Sequence, residues 1–319
     1  MKYIYSLRSA IDDLISQKNA YVIGEDIMEP YGGAFKVTKG LSEKYPDNII
    51  GMPMSEQGFT AISVGMALMG EYVIDEIMFG DFITLTADQL VNHAAKFNDL
   101  YGQKMHLVVR TPSGGYRGYG ATHSQSLEKM FLGIPGLKVV AANIYSDVGN
   151  LLKNTIEEGK PTLFIENKLD YPKELILDNF DIFERTEMDE NVRIAVKDEI
   201  PEFTIITYGG ISSIAVDTAR KLMFDEEIAV DVIVVTNISE KLTESFVQNM
   251  LRTDNVLIVE ESTGGYGFSA QVAAELACKN KNVHILTSSE SSIPSAEIAE
   301  NDVLVQMEDI YNTIISHLS

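Results

Sequence analysis

The chain has 319 residues, 45% of them hydrophobic, and its 25 Lys and Arg against 47 Asp and Glu give a formal net charge of −22. That length accommodates two α/β domains, and a surface so acidic repels phosphate backbones and anionic lipid, which argues against nucleic-acid and membrane partners and for a solvated, soluble surface. The single cysteine, Cys278, excludes an internal disulfide framework and a Cys-rich metal site; in the run AAELAC it reads as a small core residue.

Along the chain, residues 4–17 place apolar side chains at helical spacing (Ile4, Leu7, Ile11, Leu14, Ile15). The same stretch interleaves charges and lacks the apolar core of a signal peptide, and no run reaches the roughly 18 apolar residues of a membrane span, so the cytoplasm is the default location. AYVIG (20–24) reads as a short buried strand and NIIGMP (48–53) as another. Ser55 is placed to cap a helix from about Gln57 to Gly70. YVIDEIM (72–78) is a strand, 83–99 a helix, and MHLVVRT (105–111) a strand that runs into the glycine-rich loop SGGYRGYGATHSQS. LKVVAA, a helix from about Ser146, and TLFIEN follow.

Residues about 170–200 are rich in Asp and Glu without a long apolar period, which suits an interdomain linker. A second α/β unit comes after it. Its strands are FTIITYGG (203–210), AVDVIVV (229–235), NVLIVEE (255–261) and NVHIL (282–286); its helices are 211–224, 267–279 and 309–318. The expected architecture is therefore α/β, with two domains that each hold a mostly parallel sheet flanked by helices: 1–180, a linker 181–200, and 201–319. In such folds the loops leaving the C-terminal strand ends carry the chemistry.

Several residues in those loops invite attention, and each has a plain reading when taken alone. Ser55-Glu56 is a helix start whose acidic first turn suits the dipole. Met78 and Phe82 are equally core residues after a strand, and His123 a loop histidine satisfied by a carbonyl. GGYG (264–267) lacks dinucleotide-loop spacing and reads as a turn opening a helix.

Taken together, GEDIMEPYGGAFKVTKGL (24–41), PMSEQGF (53–59), EIMFGDFITLTADQLVNHAAK (76–96), GYGATHSQSLEKMFLGIPGLKVV (118–140) and, more weakly, VEESTGGYGFSAQVAAEL (259–276) resemble the β subunit of the thiamine-diphosphate-dependent 2-oxoacid dehydrogenases. The resemblance covers nearly the whole chain in order. It implies a pyrimidine-binding domain followed by a transketolase C-terminal-like domain. It also implies that Glu56 is the carboxyl that bonds N1′ of the cofactor's pyrimidine and makes its imino form accessible, a task for a buried acid. Met78 and Phe82 match the residues that give the flat aminopyrimidine an apolar wall and an aromatic face, and His123 the imidazole that handles protons at the substrate or acyl group. Thiamine diphosphate and Mg²⁺ are the implied cofactors. The Gly-Asp-Gly signature for the diphosphate and Mg²⁺ is not in this chain, so the resemblance assigns it to an α subunit, two α and two β per assembly, with a lipoyl acyltransferase as a further partner. It also offers a potassium site at the positions matching Leu107, Thr155, Ile156, Glu158 and Lys160, where Lys160 brings an unfamiliar charge.

The loop departs from the pyruvate dehydrogenase pattern at Tyr116, Arg117 and Tyr119, which stand where small residues are usual and are the candidate substrate contacts. An arginine there can hold a carboxylate or phosphate, or form a subunit contact. The first expectation is thus a 2-oxo acid decarboxylase component that passes an acyl fragment to a lipoyl acceptor. The alternatives are a transketolase-like or carboligating enzyme acting on a sugar or aldehyde, and a non-catalytic scaffold subunit.

Overall fold

The structure, a computed structural model, describes residues 1–318. The first unit has strands β1 (Tyr21–Gly24), β2 (Ile49–Gly51), β3 (Val73–Glu76), β4 (Leu107–Ser113), β5 (Lys138–Ala141) and β6 (Thr162–Asn167). They form one sheet in the order β2-β1-β3-β4-β6-β5, every neighbouring pair parallel. Its helices are α1 (Tyr3–Lys18), α2 (Leu41–Lys44), α3 (Glu56–Leu68), α4 (Ala95–Tyr101) and α5 (Val148–Glu157). Strands this short and this apolar, buried on both faces, need a crossover helix between parallel neighbours, and the sequence supplies one after most of them.

The second unit has β7 (Phe183–Met188), β8 (Asn191–Val196), β9 (Phe203–Tyr208), β10 (Val230–Val235), β11 (Asn255–Thr263) and β12 (Asn282–Ser288), in the order β12-β11-β9-β10-β8-β7. Strands β9 to β12 are parallel, and β8 and β7 extend the sheet antiparallel. Helices α6 (Ile211–Glu226), α7 (Glu244–Met250), α8 (Phe268–Ala277), α9 (Glu297–Asn301) and α10 (Met307–Leu318) cover it.

Three local expectations change. The segment read as a linker contains the β7–β8 hairpin; β7 is the outermost strand of its sheet and mostly solvated, so its sequence FERTEM carries no apolar run to betray it. Residues 83–99 are not one α-helix but a 3₁₀ stretch over Gly80–Thr86, a π-helical stretch over Gln89–Ala94, and then α4. Cys278 ends α8 with its side chain exposed, not in the core.

The two units share apolar cores. One buried cluster runs from Leu7 and Leu152 through Val108 and Phe164 to Ile205, Leu222 and Ile310. The loop after β4 is fastened to the second unit: Glu261 accepts the Gly115 N–H (2.7 Å), Glu300 the Gly118 N–H (2.6 Å), and Lys129 Nζ donates to Thr263 Oγ1 (2.7 Å). Gly120 lies in that loop at φ +78°, where an added Cβ would sit 2.3 Å from Ser295 Oγ, so only glycine lets the segments approach.

Candidate active site at the C-terminal edge of the first sheet

Strands β2, β1, β3, β4 and β6 are consecutive in the sheet and parallel, so the residues that follow them gather on one edge. Glu25 follows β1. Glu56 follows β2 as the first residue of α3. Met78, Phe79 and Phe82 follow β3, His123 lies in the loop after β4, and Lys168 follows β6.

Glu56 is 7% exposed, and its carboxyl makes no hydrogen bond to any described residue. Ser55 occupies the N-cap position, but its side chain caps nothing; its backbone N–H donates to Glu25 Oε1 at 3.2 Å. Burial, with Glu56 beside it, pushes the Glu25 carboxyl above its usual range. A nearly buried carboxyl at a helix start with no protein partner is available to a ligand that donates to it.

The 3₁₀ stretch that packs against α3 carries Phe82, whose ring is half-buried and meets the His123 ring edge-to-face, centres 5.3 Å apart. Phe79 is the hub of an aromatic cluster: His123 lies 4.9 Å away, Phe35 5.8 Å, and Phe82 and Tyr119 each 6.1 Å. Asp81 Oδ1 accepts from the Gln125 side chain (2.8 Å) and backbone N–H (3.3 Å), which ties the segment after β3 to the His123 loop. His123 Nδ1 lies 3.1 Å from Thr122 Oγ1, leaving Nε2 as the ring nitrogen without a protein partner. Behind it, the fully buried Lys168 donates to the carbonyls of Gly114 and His123, both at 2.7 Å. Burial pulls the Lys168 ammonium down to about 8. The chain thus brings Phe82 and His123 into contact and sets Glu56 on the same edge beside Glu25, with Met78 half-buried between strand and cluster.

This edge, with its unpaired acid, open aromatic face and imidazole, is what a flat, protonatable heterocycle requires. Residues 2–174 match the family described as "Transketolase, pyrimidine binding domain", and residues 193–310 that described as "Transketolase, C-terminal domain". Over 319 residues the chain is 31% identical to the pyruvate dehydrogenase E1 component subunit β-1 of Arabidopsis thaliana, covering 96% of this chain and 86% of that one. The pyruvate dehydrogenase E1 subunit β of Rickettsia bellii is 30% identical, covering 97% and 96%. The chain belongs to the E1 β-subunit family of transketolase-fold proteins. Among solved structures, one described as a split-gene transketolase, an inactive β4 tetramer, superposes with a TM-score of 0.74 at 15% identity, covering 98% of this chain and 96% of that one. The transketolase of Campylobacter jejuni gives 0.69 at 17% identity, covering 97% of this chain and 46% of that one. At such identities these two likenesses speak to fold.

In this E1 β-type chain the three loop residues expected to face substrate separate. Tyr116 turns away: its hydroxyl donates to the Val305 carbonyl at 2.8 Å, so it anchors the loop to the second unit. Arg117 and Tyr119 stay exposed and join the aromatic cluster, the guanidinium carbon 5.2 Å from the Tyr119 ring centre. The potassium positions fit an ion poorly. The Ile156 carbonyl accepts from His106 Nδ1 (2.8 Å) and the Gly159 N–H (3.3 Å), the Lys160 carbonyl accepts from Thr162 Oγ1 (3.0 Å), and the Lys138 ammonium lies 2.8 Å from the Glu158 carboxylate. Leu107 lies in β4, and the buried Thr155 hydroxyl has no partner among the described residues.

Glu25, Phe79 and Lys168 escaped the sequence reading. Glu25 and Phe79 stand inside segments that carry the resemblance, so position was available as a signal. Nothing local marks Lys168; a lysine after a strand is ordinarily solvated.

Proposed function

We propose that the chain is the β subunit of a heteromeric thiamine-diphosphate enzyme that decarboxylates a 2-oxo acid and passes the acyl fragment to a lipoyl acceptor. The observation that carries this reading is the buried, unpartnered Glu56 carboxyl sharing one sheet edge with Phe82 and His123 in a chain that aligns end to end with E1 β subunits. When bound, thiamine diphosphate supplies the nucleophilic carbon and the electron sink for loss of carbon dioxide. Glu56 holds the proton shared with the pyrimidine N1′, and burial excludes the water that would compete for it. Phe82 and Met78 offer the aromatic face and apolar wall that orient the ring. His123, with Nδ1 engaged by Thr122, presents Nε2 to the substrate's oxygen and moves a proton there.

An α subunit holds the diphosphate and Mg²⁺ in this reading, since the chain has no Gly-Asp-Gly. The reading does not call on potassium: the Ile156 carbonyl accepts from His106 and the Glu158 carboxylate pairs with Lys138. Assembly as two α and two β is supported by apolar side chains left bare on and beside α3: Met54 (86% exposed), Met69 (84%), Ile62 and Leu85. No described helix is long and apolar enough to cross a membrane, and a cytoplasmic location accords with that.

The test is native mass spectrometry of the protein purified from its source, followed by Glu56→Gln in the assembled complex. A second subunit and bound thiamine diphosphate are expected, with Glu56→Gln lowering turnover by orders of magnitude while the assembly persists. Near-normal turnover in that variant refutes the assignment of Glu56. A lone homo-oligomer that ignores added thiamine diphosphate and Mg²⁺ refutes the β-subunit reading and favours a scaffold.

A further inference from the structure

The His123 cluster has a second, cationic side. Arg117 sits over two rings, its guanidinium carbon 5.2 Å from the centre of Tyr119 and 5.8 Å from that of Phe35. Both rings pack on Phe79, whose other neighbours are His123 at 4.9 Å and the Lys168 ammonium at 5.5 Å. Arg117 and His123 therefore flank one aromatic platform. The only protein acceptor for the guanidinium is the Lys168 carbonyl, 3.4 Å from Nη1, and none of the chain's 47 acidic residues pairs with it among the described residues. The Glu300 carboxylate makes no pair with Arg117: its Oε2 accepts the Gly118 N–H, and its Oε1 is buried without a partner among the described residues. The two rings hold the exposed guanidinium by cation–π attraction, and its remaining donors make no hydrogen bond to any described residue.

A guanidinium held in this way takes an oxyanion in two parallel bonds. On the decarboxylase reading above, on which this inference rests, the substrate's own carboxylate is a poor recipient. Its charge disappears as carbon dioxide leaves, so a cation bound to it stabilises the ground state more than the transition state and slows the step. The useful recipient is an anion that the reaction keeps.

We propose that Arg117 is a specificity residue that selects a 2-oxo acid carrying a second, distal anionic group, a carboxylate or a phosphate. The platform of Phe35, Phe79 and Tyr119 takes the chain between the two ends, and the loop departs from small residues at this position because the recognised group is charged.

The experiment uses the assembled α/β enzyme with thiamine diphosphate and Mg²⁺. Single-turnover release of carbon dioxide is measured for 2-oxopentanoate, 2-oxopentanedioate and 2-oxo-4-phosphonobutanoate, which share a chain length and differ in tail. We expect kcat/KM to favour one charged tail over the neutral one by roughly 10- to 100-fold, mostly through KM, as charged hydrogen bonds allow. Which tail wins distinguishes carboxylate from phosphate. In Arg117→Gln the ratio should fall to near one, and Arg117→Lys should restore only part of it. A wild-type ratio at or below one overturns the proposal, and so does an equal loss on all three substrates in Arg117→Gln, which marks a subunit contact instead. If no 2-oxo acid is decarboxylated, the decarboxylase reading fails by itself; calorimetry of 2-oxopentanedioate and of inorganic phosphate on the same complex then decides the anion site. Binding that disappears in Arg117→Gln keeps it, and no binding removes it.

Discussion

Asp75 sits in the middle of the first sheet with 0% exposure, and its carboxyl oxygens have the Thr60 and Ser63 hydroxyls close by but no hydrogen bond of good geometry among the described residues. Burial pushes its pKa from 3.8 to about 7; the neighbouring Glu76 adds to the rise, and the Thr60 and Ser63 hydroxyls offset part of it. The sign of the effect follows from proton counts. Between pH 4 and 7 the folded chain keeps a proton on Asp75 that the unfolded chain has lost, so stability falls as pH rises through that window. Above about 7 both states are ionised and the whole penalty is felt. At 1.36 kcal/mol per pKa unit, a rise of about 3 units corresponds to about 4 kcal/mol. For a chain of this length that corresponds to a Tm change of about 6 °C, using about 2.1 cal/mol/K of unfolding entropy per residue. Asp75→Asn keeps the shape and removes the charge. Thermal unfolding of the assembled enzyme should show the variant gaining several degrees on wild type at pH 8 relative to its position at pH 5. A difference in Tm that is the same at both pH values would refute the reasoning, because the cost would then not be ionisation of Asp75.

Other perturbations test neighbouring parts of the structure. Lys168→Met removes two bonds of 2.7 Å to the carbonyls of Gly114 and His123; we expect kcat to fall about 10- to 100-fold with assembly intact, and we expect wild-type turnover to decline above about pH 8, where the ammonium gives up its proton, while the variant's profile lacks that decline. Glu166→Gln breaks a buried pair in which Arg110 donates from Nε (2.7 Å) and Nη2 (2.6 Å), with Glu76 and the Tyr171 hydroxyl completing the network, and should cost about 3–5 kcal/mol in denaturant unfolding. Gly120→Ala meets both a positive φ and the Ser295 hydroxyl; a loss of about 1–2 kcal/mol is expected, with faster proteolysis of the glycine-rich loop as the local readout.

The alternation of apolar strands and amphipathic helices was legible because its period is local: the central strands β3, β4 and β6 are buried on both faces, so their residues are mostly apolar in sequence as well as in space. Glu56 and His123 could be proposed from sequence because each stands within a short contiguous motif. Strand β7 was not legible, since an edge strand stays polar. Phe183 alone of its residues is buried. Tyr116 and Arg117 are adjacent in sequence and look alike as loop residues, yet one is tied to Val305 and the other faces the aromatic platform. That choice depends on a segment almost 190 residues away. Likewise Glu25 meets Glu56 only because β1 and β2 are neighbours in the sheet, and Arg110 finds Glu76 and Glu166 only across three strands. The sequence by itself determined most of the elements and the family, through patterns a few residues apart. Burial, partners and charge state at Asp75, Lys168 and Arg117 came from tertiary structure, because desolvation and ion pairing depend on whatever the fold brings within a few ångströms, however distant in the chain.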